Sequence, residues 1–185
     1  MAIITGKPSE EVRQWCASNH IEYFLKPVAK STFERFLGVR APRAFLVHGR
    51  NKQALRAVKA ALKSVGIEPV VLMELASLGR TVIEKFEEVA ESCDCAVVLL
   101  SPDDIGNLVQ EARAGHKARF RARQNVLFEL GYFCGSLGRR RGAVVLLEHG
   151  SVEIPSDLAG VVRINSKVSR AALRKALKEE LAWIL

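Results

Sequence analysis

The sequence predicts a doubly wound α/β domain built around a five-stranded parallel sheet. Two observations lead to this prediction. Short runs of valine, leucine and isoleucine recur along the chain, and strands of this composition are typically buried on both faces, as in parallel sheets. Segments with apolar residues at helical spacing separate these runs, and such alternation places helices on both faces of one sheet.

The first strand and the first helix begin the predicted domain. Residues 44–47 (AFLV) form an apolar run, which predicts a strand that ends before His48. Asn51 is a favourable N-cap residue for the helix that follows, and Gly66 is placed to end it. The inward face of this helix consists of Leu55, Val58, Leu62 and Val65. The second strand is predicted at residues 69–73 (PVVLM).

The middle of the domain contains the third strand and an irregular segment. The helix before this strand has an apolar face made of Val82, Phe86, Val89 and Cys93. Residues 95–100 (CAVVLL) predict a fully buried strand that ends at Ser101. Residues 105–122 follow without a clear period, and Gly106 and Gly115 interrupt them, so we expect irregular structure there.

Two more helices and two more strands complete the domain. Gly138 is placed to end a helix whose apolar face consists of Val126, Leu130, Phe133 and Leu137. Residues 143–147 (AVVLL) and 160–164 (GVVRI) predict the fourth and fifth strands. Ser169 is a favourable N-cap residue for a last helix whose inward residues are Leu173, Leu177, Leu181 and Ile184.

Residues 1–42 predict a separate strand–helix–strand–helix extension ahead of the main domain at residues 43–185. Thr5-Gly6 follows the first strand of this extension, and Lys26-Pro27 follows the second. With these motifs the extension resembles the last half of a response-regulator receiver domain, in which the hydroxyl and the lysine help to bind a phosphorylated aspartate. The phosphate-accepting aspartate of that family would lie before the first strand, so we expect that the extension does not accept phosphate by itself. The alternative is an ordinary extension that packs on the main domain.

The predicted strand order places a ligand crevice at one edge of the sheet. Five strands favour the flavodoxin-like order 2-1-3-4-5, in which ligands bind between the first and third strands at their carboxyl ends. The residues that we expect to contact a ligand there are His48, Gly49, Arg50, Asn51, Ser101 and Asp103. A packed loop residue is an equal alternative for His48. Asp103 and Asp104 have two interpretations, which are capping a short helix and binding a ribose.

Composition and cysteine spacing exclude several classes of protein. The longest stretch without a polar residue is about six residues, far short of the roughly 18–20 that a membrane-spanning helix needs. The N-terminal apolar run is too short for a signal peptide. The four cysteines form no CxxC pair, and no histidine lies at zinc-ligand spacing from them, so we expect free thiols and no metal. The chain is therefore expected to be cytoplasmic, without contact to a membrane.

The positive charge of the chain is concentrated in one segment. The formal net charge is +8, from 28 Lys+Arg and 20 Asp+Glu. Residues 113–141 hold eight basic residues and a single acid, Glu129. A basic segment of this kind indicates a phosphate-bearing partner. Glu129 itself is open to two interpretations: a surface carboxylate paired with Arg123 or Arg139, or a reactive carboxylate at a crevice lined by cations.

The helix that carries Glu129 has a polar stripe and two internal glycines. The stripe beside the apolar face consists of Asn125, Glu129, Tyr132 and Ser136. Asn125 and Glu129 are one helical turn apart, about 6 Å along the axis. Gly131 and Gly135 each cost about 0.5–1 kcal/mol relative to alanine within a helix. Their presence predicts that a strand or a ligand approaches the helix backbone closely.

Five sequence blocks in residues 43–165 point to a known family. They are AFLVHGRN (44–51), GRTVIEKFEEVA (79–90), AVVLLSPDD (96–104), RARQNVLFELGYFCGSLGR (121–139) and IPSDLAGV (154–161). With these blocks the chain resembles bacterial TIR-like, predicted nucleotide-binding domains of antiphage effectors, including effectors fused to cyclic-dinucleotide sensors. The resemblance implies cleavage of the nicotinamide–ribosyl bond of NAD+ with Glu129 as the catalytic residue. Arg123 and Asn125 belong to the same motif as substrate-binding candidates, and we also expect Tyr132 to contact the substrate.

The chemistry of this reaction is compatible with a single carboxylate. Breaking the nicotinamide–ribosyl bond builds positive charge on the ribose, and a carboxylate beside it stabilises that charge. Nicotinamide leaves as a neutral molecule, so its departure needs no acid. We expect Glu129 to be ionised, with neighbouring cations that keep its pKa low. Arg123, Arg50 and the helix start at Asn51 are the candidates for binding the pyrophosphate. NAD+ is the substrate in this scheme, and no cofactor is expected.

Two other functions stay open at this stage. The first is a non-catalytic TIR-like module that self-associates or senses nucleotides. The loop at residues 74–80 (ELASLGR) lies where TIR domains have a mobile loop that gates the pocket and mediates self-assembly, and we expect a homo-oligomer on activation. The second is nucleic-acid binding through residues 113–141. We expect no nucleic-acid partner, because that segment has few aromatic residues and no recognised nucleic-acid motif.

Overall fold

The computed structural model describes residues 2–5, 9–25, 34, 37–38, 40–138, 143–158 and 163–185. The chain forms two compact units, which are residues 1–40 and residues 41–185.

The first unit begins with the predicted order of strand, helix and strand. The strand β1 (Ala2–Thr5) pairs in parallel with β2 (Glu22–Leu25), and the helix α1 (Glu10–Ser18) connects them. Gly6 and the Lys26-Pro27 pair lie outside the described residues, as does most of the second predicted helix. The likeness to a receiver domain therefore stays a prediction.

The second unit alternates strands and helices as the sequence predicts. In chain order its elements are β3 (Arg43–His48), α2 (Lys52–Ser64), β4 (Glu68–Val70), α3 (Val82–Glu91), β5 (Cys95–Leu100), β6 (Asp104–Gly106), α4 (Val109–Arg113), β7 (Arg119–Arg121), α5 (Gln124–Ser136), β8 (Val144–Glu148), β9 (Arg163–Asn165) and α6 (Arg170–Glu180). The main sheet is parallel throughout, with the strand order β4-β3-β5-β8-β9. Numbered within the sheet this order is 2-1-3-4-5, so the predicted flavodoxin-like fold is confirmed.

Helices cover both faces of the main sheet. The helices α2 and α6 pack on one face, where Val58 and Leu177 are completely buried. The helices α3 and α5 cover the other face. There the Phe45 ring of β3 lies 5.4 Å from the Phe86 ring of α3 and 4.9 Å from the Phe133 ring of α5. Such aromatic pairs each contribute about 0.5–1.5 kcal/mol beyond the area they bury. This packing holds α5, the helix that carries Glu129, against the sheet.

The predicted helix caps are confirmed. The Asn51 side chain accepts a hydrogen bond from the Ala54 amide at 3.0 Å, and the Ser169 hydroxyl accepts one from the Ala172 amide at 3.2 Å. These bonds satisfy donors that a helix start leaves without a partner. Just after α2, Gly66 has a φ of +84°, a left-handed conformation that favours glycine.

Two predictions near β4 and α3 are wrong. The strand β4 ends at Val70, and the rest of the PVVLM run continues into a 3-10 helix at Leu72–Glu74. Leu72 is buried although it lies in this 3-10 helix, so the apolar run is buried here without an extended backbone. Val82 lies in the first turn of α3 and is 73% exposed, and the buried residues of that helix are Lys85, Phe86 and Ala90.

The segment predicted to be irregular contains a β-hairpin. The strands β6 and β7 pair antiparallel with Ile105 opposite Phe120, and α4 lies between them in the chain. Ile105 is 69% exposed and Phe120 is 56% exposed. Each strand has only three residues and no buried face, so the apolar–polar alternation that normally indicates a strand is too short to detect.

The remaining strand predictions agree with the structure where it describes them. The third strand is Cys95–Leu100 as predicted, and the fourth is shifted by one residue to Val144–Glu148. The strand β9 covers the end of the predicted fifth strand, whereas residues 160–162 lie outside the described residues. Among the residues that the structure describes, no helix has the length and apolar character needed to cross a membrane.

Candidate functional site

The carboxyl ends of β3 and β5 meet at Gly49, as the predicted strand order requires. A Cβ on Gly49 would lie 1.7 Å from Asp103 Oδ2 and 3.4 Å from Ser101 Oγ. Only a residue without a side chain fits this close approach. Ser101 is 1% exposed, and its hydroxyl donates a hydrogen bond to Asp103 Oδ2 at 2.6 Å. The structure therefore brings three of the predicted crevice residues into one contact cluster.

The backbone fixes Asp103 between two carbonyl groups. Its amide donates to the Ser101 carbonyl at 2.8 Å and to the Arg121 carbonyl at 3.2 Å. Asp104 then begins β6, and the chain continues as a strand paired with β7. The interpretation of Asp103 and Asp104 as caps of a short helix is therefore wrong. Because Arg121 lies two residues before Arg123, the same hydrogen bond ties the crevice to the start of α5.

The three residues around the end of β3 have different environments. His48 Nδ1 lies 2.7 Å from the Gly49 carbonyl oxygen. A carbonyl oxygen only accepts, so Nδ1 carries the proton and Nε2 can accept from a ligand. Arg50 is exposed, and no acid in the described part of the chain pairs with it. Asn51 uses its side-chain oxygen to cap α2, which leaves its amide NH2 group for a ligand.

A charge network beside the crevice was not predicted from the sequence. Arg121 pairs with Glu153, and Arg119 pairs with Glu153 at 2.8 Å and with Glu111. The Glu153 amide donates to the Phe120 carbonyl at 2.7 Å, and the backbone of Glu153 forms a bridge with that of Arg121. Arg121 and Glu153 are 32 residues apart, so no local spacing reveals the pair. Arg119 and Arg121 lie on β7, which pairs with β6, and the only sequence signals for these two strands were the short patterns RFR and DIG.

Glu129 is half-buried on α5, with no hydrogen-bond or ion-pair partner among the residues that the structure describes. Its apolar neighbours on the helix, Val126, Leu130 and Phe133, are at most 3% exposed. Burial raises the pKa of the Glu129 carboxyl to about 7. At neutral pH the carboxyl is therefore divided between its protonated and ionised forms.

The described residues of the basic segment do not neutralise Glu129 as expected. The prediction that nearby cations keep the pKa of Glu129 low is wrong, because two of the arginines pair instead with the acids of the charge network. Arg123 is half-buried at the N-cap position of α5, and within the described ranges it makes no ion pair with Glu129. Arg139, the other partner considered for Glu129, lies outside the described residues.

The two other substrate-binding candidates on α5 differ in how firmly they are held. The Tyr132 ring packs edge-on against Phe86 of α3, with the ring centroids 4.8 Å apart. Burial, with smaller contributions from Glu87 and Glu91, raises the pKa of the Tyr132 hydroxyl, which stays a hydrogen-bond donor at neutral pH. Asn125 is exposed in the first turn of α5. Tyr132 is thus positioned by packing, whereas Asn125 is free to turn toward a ligand.

Gly131 and Gly135 leave one flank of α5 open. Both residues are exposed, and a Cβ on either would meet no neighbouring atom within 4 Å. No strand in the described part of the chain approaches the helix there, so that explanation of the two glycines is wrong. The approach of a ligand to this flank stays a prediction.

The residues capable of chemistry are carboxylates and hydrogen-bonding groups. Cys16, Cys93, Cys95 and Cys134 carry thiols rather than disulfides. Over the described ranges, no group of three or more histidine, cysteine, aspartate or glutamate side chains is arranged to hold a metal ion. In the described part of the second unit, α5 thus has a carboxylate without a charged partner. The polar crevice is connected separately to the start of α5, through the hydrogen bond from the Asp103 amide to the Arg121 carbonyl.

Comparison with known proteins gives one family and several relatives. Residues 43–168 match the family described as CAP12/Pycsar effector protein, TIR domain. The uncharacterized protein YuaY of Escherichia coli (strain K12) is 45% identical over 135 residues, which are 73% of this chain and 43% of YuaY. Protein tirC of Dictyostelium discoideum is 32% identical over 127 residues, 66% of this chain and 63% of tirC. The Pycsar effector protein PaPycTIR of Pseudomonas aeruginosa is 34% identical over 89 residues, 48% of this chain and 27% of that protein.

The chain spans less than two thirds of the length of each of these relatives. The family match covers the whole parallel sheet from β3 to β9 and includes Glu129, the crevice and the charge network.

Proposed function

This chain belongs to the TIR-domain family of CAP12 and Pycsar effector proteins, and we propose that it cleaves the nicotinamide–ribosyl bond of NAD+ as an effector in antiphage defence. The observation that carries this proposal is Glu129, a half-buried carboxylate with no charged partner in the described part of the chain. A carboxylate in this state favours a cationic ligand, because the ligand supplies the charge that the protein does not. NAD+ is cationic at the group to be cleaved.

Glu129 acts in the proposed reaction by stabilising the charge that forms on the ribose. The bond between the ribose C1′ and the nicotinamide nitrogen breaks, and its electron pair leaves with nicotinamide, which becomes neutral. The ribose is left with oxocarbenium character, which the ionised carboxylate stabilises. Water then adds to C1′ and releases a proton, which gives ADP-ribose.

The raised pKa of Glu129 links substrate binding to ionisation. The pKa of about 7 belongs to the free protein, in which only burial acts on the carboxyl. The positive nicotinamide ring lowers this pKa on binding, because an opposite charge favours the ionised form. In this proposal the Glu129 carboxyl of the free protein is partly protonated at neutral pH, and binding of NAD+ promotes its ionised, reactive form.

The other predicted residues are assigned to substrate binding in this proposal. Arg50 and Arg123 bind the pyrophosphate, together with the amide groups at the start of α2 after Asn51. His48 accepts a hydrogen bond from a ribose hydroxyl through Nε2. Asp103 has one carboxylate oxygen occupied by Ser101 and uses the other for the second ribose.

The substrate also contacts α5 beside Glu129 in this proposal. The Asn125 amide and the Tyr132 hydroxyl orient the ribose and nicotinamide near the catalytic carboxylate. Tyr132 is held by its contact with Phe86, so it presents its hydroxyl in a fixed position. The open flank at Gly131 and Gly135 leaves room for the substrate along the helix.

A second candidate function is a TIR module that self-associates or senses nucleotides without catalysis. It is favoured by apolar side chains exposed at and beside the loop at residues 74–80: Met73 is 79% exposed, Leu78 is 81% and Val82 is 73%. Exposed apolar surface of this kind is typical of association sites. The two functions are compatible, because we propose that the active form is a homo-oligomer assembled through this loop.

The proposal is tested by incubating NAD+ with concentrated protein and a crowding agent and measuring nicotinamide by chromatography. We expect release by the wild type and by Glu179→Gln, a matched change of an exposed carboxylate on α6. Glu129→Gln is expected to lower the rate at least about 1000-fold, because it removes the charge that stabilises the transition state. Equal release by Glu129→Gln would overturn the catalytic role. Nucleotide binding or self-association without release would favour the second function.

A further inference from the structure

A cavity at the carboxyl ends of β8 and β9 is lined by none of the residues assigned to NAD+ cleavage. Its volume is about 280 Å³, and its lining residues are Glu148, Gly150, Ser151, Arg163, Asn165 and Lys167. Glu148 and Asn165 are the last residues of their strands and lie opposite each other in the sheet. The cavity thus occupies the edge at which doubly wound domains bind ligands.

Hydrogen bonds join the ends of the two strands that line this cavity. The Ser166 hydroxyl donates to the Glu148 carbonyl at 3.1 Å, and the Ser166 amide donates to the same carbonyl at 2.9 Å. His149 Nδ1 lies 2.9 Å from the Ser166 hydroxyl oxygen. The hydroxyl has a single hydrogen, so Nδ1 is the donor in this contact. Because these bonds hold the strand ends in place before a ligand arrives, they lower the entropy cost of binding.

The charges around the cavity leave one lysine without an acid. Arg163 Nε donates to Glu148 Oε2 at 3.2 Å, so these two side chains neutralise each other. Lys167 pairs with no acid in the described ranges, and the lining therefore carries one net positive charge. Burial, together with the Lys167 charge, lowers the pKa of His149 and so favours its neutral form.

Backbone amides add to the positive potential of the cavity. Gly150 has a φ of +86°, a left-handed conformation. Turns of this kind present successive amide groups as a concave anion-binding surface. The amides of Gly150 and Ser151 have no acceptor among the described residues, and neither does the Ser151 hydroxyl. Lys167 Nζ would lie only 3.3 Å from a Cβ on Gly150, so the glycine also makes room for this ammonium group.

We infer that this cavity binds a small phosphomonoester, of about the size of a pentose phosphate. Lys167 supplies the charge, and the Ser151 hydroxyl with the amides of Gly150 and Ser151 supplies further donors for the phosphate oxygens. A volume of 280 Å³ is just below the range of about 300–1,000 Å³ that drug-sized ligands occupy, which favours a compact ligand. The inference goes beyond NAD+ cleavage and does not depend on Glu129.

The site is tested by NMR titration of ¹⁵N-labelled protein with ribose 5-phosphate, inorganic phosphate and ribose. We expect saturable shifts with ribose 5-phosphate at the amides of residues 148–151 and 163–167, and none with ribose. Absence of these shifts, an equal response to ribose, or a response to inorganic phosphate without one to ribose 5-phosphate would each overturn the assignment.

Two lysine variants separate this site from general charge effects. Lys167→Gln is expected to raise the dissociation constant for ribose 5-phosphate about tenfold, because a charge-assisted hydrogen bond is lost. Lys175→Gln, a change of an exposed lysine on α6, is expected to leave it unchanged. Both side chains are exposed, so both variants are expected to fold. Equal affinity in the Lys167→Gln variant, or an equal loss in both variants, would contradict the inference.

Discussion

Glu153 and Glu129 are both half-buried carboxylates of the second unit, but their surroundings differ. Glu153 pairs with Arg121 and, at 2.8 Å, with Arg119. Glu129 has no charged partner in the part of the chain that the structure describes, and burial raises its pKa to about 7. Arg119 and Arg121 thus pair with Glu153, and no arginine in the described part of the chain pairs with Glu129.

This difference shows what a local excess of charge in a sequence does and does not reveal. The basic segment at residues 113–141 holds one acid of its own, yet two of its arginines, Arg119 and Arg121, pair with acids that lie outside the segment. The paired charges connect β7 to Glu111 of α4 and to Glu153. An unpaired, half-buried carboxylate destabilises the free protein, and a bound cation relieves this cost. Such a carboxylate can therefore bind a cationic transition state more tightly than a neutral ligand.

The largest loss of stability is expected from a substitution at Gly49, where the crevice is most tightly packed. Gly49→Ala places a Cβ 1.7 Å from the present position of Asp103 Oδ2. Asp103 must then move away from Ser101, whose buried hydroxyl loses its acceptor. We expect the free energy of unfolding, measured in urea, to fall by about 3 kcal/mol. Gly131→Ala is the matched control, because its new Cβ meets open space, and equal stability of the two variants would contradict this explanation.

Replacing Glu153 of the charge network is expected to cause the next largest loss of stability. Glu153→Gln leaves Arg121 without its carboxylate and removes one of the two partners of Arg119. We expect the free energy of unfolding to fall by about 2 kcal/mol, more than an isolated surface pair contributes, because several charges share the network. Glu179→Gln, which removes an exposed pair with Lys175, is expected to change it by less than about 0.5 kcal/mol. Similar losses in the two variants would remove the distinction between the network and a surface pair.

Replacing Glu129 by glutamine is expected to raise the free energy of unfolding, whereas the same replacement at Glu153 lowers it. The pKa of Glu129 in the folded protein is about 7, above its ordinary value of 4.5, so the folded state binds the proton more tightly. Stability of the wild type is therefore lost as the pH rises from about 4.5 through 7. We expect Glu129→Gln to be more stable than the wild type by about 1–2 kcal/mol at pH 8. This estimate is smaller than the full pKa difference implies, because water still reaches the carboxyl.

Urea unfolding at pH 5 and pH 8 checks this prediction. The stability difference between Glu129→Gln and the wild type should nearly vanish at pH 5, where the carboxyl is mostly protonated in the folded protein. A destabilised variant at pH 8, as expected for Glu153→Gln, would show that Glu129 has a partner and would contradict the comparison.

The smallest effect is expected at the open flank of α5. Gly135→Ala adds a Cβ that meets no neighbouring atom within 4 Å, in a helix position where alanine is favoured. We expect the free energy of unfolding to rise by about 0.5–1 kcal/mol. A loss of stability in a thermal or urea transition would show that another part of the protein covers this flank.

The sequence was sufficient to predict the features set by periodicity and local chemistry. Strand order followed from the flavodoxin-like architecture that five strands alternating with helices favour, and the caps at Asn51 and Ser169 followed from residue type. The meeting of Gly49 with Ser101 and Asp103 followed from the strand order alone, because the carboxyl ends of neighbouring parallel strands share an edge.

The features that were missed depend on contacts between distant residues. The hairpin of β6 and β7 has strands of three residues with exposed side chains, so no buried period marks it. Arg121 and Glu153 are brought together by that hairpin across 32 residues of chain. The raised pKa of Glu129 was missed as well, because it comes from burial of the carboxyl by the folded chain and not from a local sequence pattern.

The dependence of NAD+ cleavage on pH tests the central claim, that an uncompensated Glu129 is the catalytic group. The reactive form is the carboxylate, so with a pKa of about 7 in the free protein we expect kcat/KM for nicotinamide release to rise about tenfold per pH unit below pH 7 and to level off above it. Glu129→Gln should remove both the rate and its pH dependence. A wild-type profile that is flat from pH 5 to pH 9 would show that Glu129 is already neutralised by a partner and would contradict the claim.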